Sequence, residues 1–135
     1  MHDWITEVEG EYKSHKLVVK FATDIGYRCG YVEAPKYLNG YHKDLEDLCV
    51  HGGVTYLEKM NPSSYLLTDT WWVGFDCHHA WDGVLFPPKE LEKFYQGKEI
   101  RSLDYCIAEC KKLIDQLIEL EAKVNHRAPE KEAND

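Results

Sequence analysis

The chain lacks a long apolar run: none approaches the roughly 20 residues of a membrane span. It lacks a basic excess as well. With 24 acidic and 16 basic residues its net charge is -8, which argues against general nucleic-acid binding, because such binding rests on Lys and Arg neutralising phosphates. The acidic residues are dispersed, with one tight group at 43–48, so mimicry of a nucleic acid is disfavoured too. There is no internal repeat or low-complexity block, and no C-x-x-C pair, H-E-x-x-H helix, Walker loop, dinucleotide fingerprint or hydrolase elbow. No motif calls for a cofactor. Five cysteines (Cys29, Cys49, Cys77, Cys106 and Cys110) follow no regular spacing. The N-terminal "MHDWITEVEGEYK" has neither a basic nor an apolar signal region. Reduced thiols and a cytoplasmic location are therefore expected.

What is present is aromatic. Nine Tyr and four Trp stand in 135 residues that are 44 % hydrophobic, enough for one core. A single domain over 1–127 with a flexible tail at 128–135 is expected. "KLVVKFATDIG" reads as a strand running into a turn, and "YRCGYVEAP" as a strand with Tyr27, Cys29 and Tyr31 on one face and Arg28 and Val32 on the other. Asn39-Gly40 marks a turn, and "KDLEDL" a short helical turn. "GGVTYLE" and "WWVGFDC" read as further strands separated by the "NPSS" loop, and "PKELEKFYQG" as a helical stretch stopping at Gly97.

From Ser102 the period changes. Leu103, Cys106, Cys110, Leu113, Leu117, Leu120 and Val124 recur at intervals of three and four, widened by Ile107, Ile114 and Ile118. This is a long amphipathic helix with Ser102 placed to cap it. Its apolar face needs a cover, either the sheet or, in a homodimer, a second copy of itself. Strands followed by helices give an α+β fold: a mainly antiparallel sheet with one long C-terminal amphipathic helix packed on it.

The chemistry concentrates in "WWVGFDCHHAWDG" (71–83). On a strand, Trp71, Val73, Phe75 and Cys77 share one face and Trp72, Gly74, Asp76 and His78 the other. His79 and Asp82 meet if "HHAWD" turns. A histidine held by a carboxylate serves acid–base work or a metal's outer shell. The alternative is a turn capped by Asp76 or Asp82, with the histidines bonded to backbone. His51, Cys77, His79 and Asp82 can make a tetrahedral zinc set, and Cys77 beside His51 or His79 has the parts of a nucleophile pair. The competing role for Cys77, and for Cys106 and Cys110, is core packing. In "HGGVTY", Gly52 and Gly53 allow a close backbone approach to a ligand or an anion, or simply a turn. Arg28 suits a phosphate or carboxylate, or else a salt bridge on the sheet surface.

The succession "GYRCGYVEAP", "VHGGVTY", "WWVGFDCHHAWDG" and "RSLDYCIAECKKLIDQL", from Gly26 to Leu117, resembles a group of small bacteriophage and prophage proteins. The pattern of that group is a Gly-Tyr strand, H-G-G-[LIV]-T-[YF], then W-W-x-G-F-D-C-x-H-x-x-D and a closing helix. His51, Gly52, Gly53, Thr55, Trp72, Gly74, Asp76, Cys77, His79 and Asp82 match it, while His78 and Trp81 fall at variable positions. The segment at 37–44, "YLNGYHKD", departs from the Pro- and Gly-containing loop of the group. The resemblance implies a phage-type accessory protein of the host cytoplasm. Its expected partner is a nucleotide-like small molecule or a host defence protein. Three expectations follow. The first is a ligand pocket walled by Trp72 and tyrosines and anchored by His51, Gly52, Gly53, Thr55, Asp76, His79, Asp82 and Arg28. The second is a hydrolase using His79 with Asp82, or a metal. The third is an inhibitor that binds a host protein.

Overall fold

Alternation of β-branched and aromatic residues builds five strands, and a single helical stripe covers one side of them. The computed structural model describes residues 2–125; the expected boundary at 127 and the tail at 128–135 lie outside the described residues. The strands are β1 (Trp4–Tyr12), β2 (His15–Ala22), β3 (Tyr27–Glu33), β4 (Tyr56–Met60) and β5 (Leu67–Asp76). All neighbours are antiparallel, in the order β1-β2-β3-β5-β4. Between β3 and β4 lies the helical turn α1 (His42–Glu46). After β5 come the short α2 (Glu92–Tyr95) and the long α3 (Leu103–Val124).

β1 mixes strand formers (Trp4, Ile5, Thr6, Val8 and Tyr12) with three glutamates and a glycine. Its glutamates disfavour a strand by propensity, yet at a sheet edge Glu9 and Glu11 face solvent at little cost, while Glu7 is half-buried. Its turn into β2 is Lys13–Ser14, both at positive φ (50° and 68°). That two-residue geometry matches the right-handed strand twist but normally announces itself through Gly or Asn. β4 starts later than "GGVTYLE" predicts. Gly52 and Gly53, at φ 68° and 86°, turn the chain first, and the strand begins only at Tyr56. The stretch before Gly97 is one 3-10 turn (Lys89–Leu91) followed by the four residues of α2.

α3 follows its sequence pattern. The Ser102 hydroxyl accepts from the Tyr105 amide at 3.0 Å, satisfying an end-of-helix donor. Cys106, Cys110, Leu113, Ile114, Leu117 and Val124 are buried in one cluster with Leu17, Val19, Val32, Val73 and Phe75 of the sheet. Each large aliphatic side chain so buried contributes roughly 1.5–3 kcal/mol. The sheet thus supplies the cover that the helical stripe needs. The opposite face carries a second cluster of Val18, Ala22, Tyr27, Cys29, Tyr31, Trp72 and Val84. The β4–β5 turn returns across this face: Lys20 Nζ donates to Pro62 O (2.9 Å) and to Tyr65 Oη (2.7 Å), and Thr6 Oγ1 lies 3.2 Å from Ser63 Oγ.

Candidate functional site

The second face is where aromatic and polar side chains converge. Register sets Asp76 opposite Cys29, and Gly74 between Tyr31 and Tyr56. A side chain at Gly74 would come within 2.5 Å of the Tyr31 ring, so the glycine provides the space in which that ring lies. The result is a groove of about 320 Å³ lined by Tyr27, Tyr31, Thr55, Tyr56, Asp76 and His78, with no Lys or Arg in its wall. Burial pushes the phenols of Tyr27, Tyr31 and Tyr56 upward, so they remain protonated. Burial also lowers His78, against the pull of Asp76, which favours the neutral imidazole. That ring stacks on Tyr27 (centroids 4.3 Å apart) and places Nε2 3.0 Å from Tyr95 Oη. The His78 amide donates to Asp76 Oδ1 at 3.1 Å.

Behind the groove sits a buried polar group. Where β5 ends the chain turns, with the Asp82 amide donating to His79 O at 2.9 Å. The Asp82 carboxylate then accepts from the His79 amide (3.0 Å) and lies 3.2 Å from His79 Nδ1. His51 Nε2 reaches it from the turn before β4, 3.0 Å from both oxygens. Arg101 Nε donates to Oδ1 at 3.1 Å from the residue preceding the α3 cap. These four donors fill the lone pairs of a carboxylate that is 0 % exposed. Burial alone would raise the Asp82 carboxyl, but the bonds from His51, the His79 amide and Arg101 outweigh it and hold it below the usual range. With Nε2 of His51 donating, its Nδ1 accepts from Tyr105 Oη at 2.8 Å. His79 stacks on the exposed Trp81 (4.7 Å, 10°), and a Cβ at Gly52 would overlap the His79 ring.

The expected site residues thus divide. His51, His79 and Asp82 come together, and Gly52 packs on His79 with Gly53 beside it in the turn. Asp76 links the two regions: it lines the groove and lies 3.6 Å from His79 Nδ1. Thr55 is in the groove. Trp72 is not a wall: it is 1 % exposed within the second cluster, too deep to stack on a ligand. Arg28 lies away from the groove, on the other face, where Glu7 engages Nε and Nη2 (2.7 and 3.2 Å) and Arg101 O accepts from Nη1. Cys77 points toward α3, its Sγ 3.7 Å from Cys106 Sγ. The residues that could hold a metal are accordingly His51, His79 and Asp82. His78 proves to be a groove residue. Arg101 and Tyr105 fall in the quoted closing-helix segment and beside the Ser102 cap, but nothing in their spacing marks them as partners of Asp82 and His51.

Among the described residues no helix is long and apolar enough to cross a membrane. Family models, curated proteins and solved structures give no match to this chain.

Proposed function

We propose that the protein binds a small planar ligand, nucleotide-like in its base, in the tyrosine groove, and serves as a phage-type accessory protein by doing so. The observation that carries this reading is the convergence of Tyr27, Tyr31, Tyr56, Asp76 and His78 on one cavity of about 320 Å³, the size and composition of a small-molecule site. Each aromatic contact with a ligand ring contributes roughly 0.5–1.5 kcal/mol beyond burial. Asp76 accepts from an amino or imino edge, and Thr55 and neutral His78 complete the polar set. With no Lys or Arg in the wall, the ring is recognised rather than a phosphate. The Asp82 group then serves as a support, fixing the turn that presents Asp76 and His78.

Thermal unfolding with free bases and nucleosides tests the reading, because a ligand bound only by the native state at 100 times its Kd stabilises it by about 2.7 kcal/mol. The expected result is a raised Tm for the parent protein, reduced in Tyr56→Ala and Asp76→Ala. No shift with any base, together with a host protein recovered in pull-downs, would favour the inhibitor instead.

A further inference from the structure

Three side chains from two turns, His51 before β4 and His79 with Asp82 after β5, bring ligand atoms close together. His51 Nε2 lies 3.0 Å from Asp82 Oδ2, and His79 Nδ1 lies 3.2 Å from the same oxygen. One donor atom from each residue falls within 4.8 Å of the other two. Tetrahedral coordination with bonds of about 2.0–2.1 Å sets neighbouring donors roughly 3.3 Å apart, close to both measured separations. We propose that His51, His79 and Asp82 bind one divalent transition-metal ion of the zinc class, a site independent of the groove reading.

The donor set and its surroundings fit. Two imidazoles and one carboxylate suit zinc and its first-row neighbours rather than magnesium or calcium. Arg101 holds Oδ1, and the lone pair of Oδ2 that faces the two imidazoles passes to the ion when their ring N–H groups cease to donate, leaving the bond from the His79 amide in place. His51 has an outer partner in Tyr105 Oη, the kind of contact that orients a metal-bound ring. Asp76 lies 3.6 Å from His79 Nδ1, and Glu99 pairs with Arg101 at 3.0 Å; both offset the arginine charge. His79 is 18 % exposed, which puts the group within reach of solvent. Binding forms two N–metal bonds and one O–metal bond. Without metal, His51 and His79 keep their protons on the nitrogens facing Asp82. With metal, those protons move to the opposite ring nitrogens, His51 Nδ1 and His79 Nε2. Neutral rings therefore release no net proton, and His51 Nδ1 then donates to Tyr105 Oη. Cys77, turned toward Cys106, takes no part.

The test is titration of chelator-treated protein with Zn²⁺ by calorimetry and with Co²⁺ by visible absorption, each variant being checked for folding by circular dichroism. The expected result is one ion per chain, tetrahedral Co²⁺ bands, and long-range histidine ¹⁵N spectra showing the His51 proton moved from Nε2 to Nδ1. His79→Ala should lose the stoichiometric ion. Tyr105→Phe should weaken it about 10–100-fold, and Cys77→Ser should leave it unchanged. Should His79→Ala fail to fold, His79→Gln replaces it with the same expected loss. Absence of a stoichiometric ion, or an ion bound equally well by the folded His79 variant, would overturn the proposal.

Discussion

His51 Nε2 meets the Asp82 carboxylate at 3.0 Å across 31 residues of chain, joining the turn before β4 to the turn after β5. Arg101 adds a third segment, the approach to α3. The carboxylate is fully buried, and His51, 5 % exposed, has no water to turn to if it is lost.

Asp82→Ala should therefore destabilise the metal-free protein by about 3–5 kcal/mol, the usual cost of breaking a buried charge pair from one side. Urea denaturation in chelating buffer measures this. A loss under about 1 kcal/mol, the range of exposed pairs, would mean that the three segments are held by other contacts.

Gly52→Ala and Gly53→Ala separate backbone strain from crowding. Both residues have positive φ, costing a side chain roughly 1–2 kcal/mol. Only Gly52 faces the His79 ring; nothing lies within 4 Å of a Cβ at Gly53. Gly52→Ala should be the worse by about 1–3 kcal/mol, the usual range for overpacking. Equal Tm values for the two variants would show that His79 does not press on the turn.

Acid should loosen the tie between α3 and the β1–β2 turn. Lys13 Nζ donates to Asp115 Oδ1 at 2.9 Å, and this bond, opposed by slight desolvation, holds the Asp115 carboxyl below its ordinary 3.8. A depressed folded value means that the stabilisation is complete above the ordinary value and is lost as pH falls through the folded one. Carboxyl NMR titration should find Asp115 low in the parent and back near 3.8 in Lys13→Ala. An unchanged midpoint would show that the pair does not form in solution.

One thiol should react quickly in the native protein. Cys49 is exposed, while Cys29, Cys77, Cys106 and Cys110 are buried. Burial pushes Cys29 and Cys110 up to about 12, leaving little thiolate to attack a disulfide reagent. Ellman titration should count one fast thiol, and four more on unfolding. Two or more fast thiols in the folded state would contradict the described core.

The parts of this fold that are legible in sequence are those fixed by local periodicity. The three-and-four stripe gives α3, and the alternation in "WWVGFDC" correctly parts core-facing Phe75 and Cys77 from Asp76 and His78. β1 is not legible, because charges disguise an edge strand and Lys13–Ser14 turns without Gly or Asn. That omission has a consequence: the partner of Arg28 is Glu7 on β1, so the arginine looks free for a ligand until the edge strand is in place. Arg101 and Tyr105 reach Asp82 and His51 only after α3 docks on the sheet, a packing event that no spacing encodes. The groove escapes for the same reason. Trp72 and Tyr56 lie on adjacent strands, and only the three-dimensional register buries the first and leaves the second lining the cavity.

A ligand in the tyrosine groove is located by mapping ¹³C-tyrosine and backbone amide shifts on adding the base or nucleoside that raises the Tm. Perturbations should gather at Tyr27, Tyr31, Tyr56, Asp76 and His78. Perturbations centred instead on the outer side of α3, at Cys49, Lys111 and Gln116, with the groove tyrosines unmoved, would contradict binding in the groove.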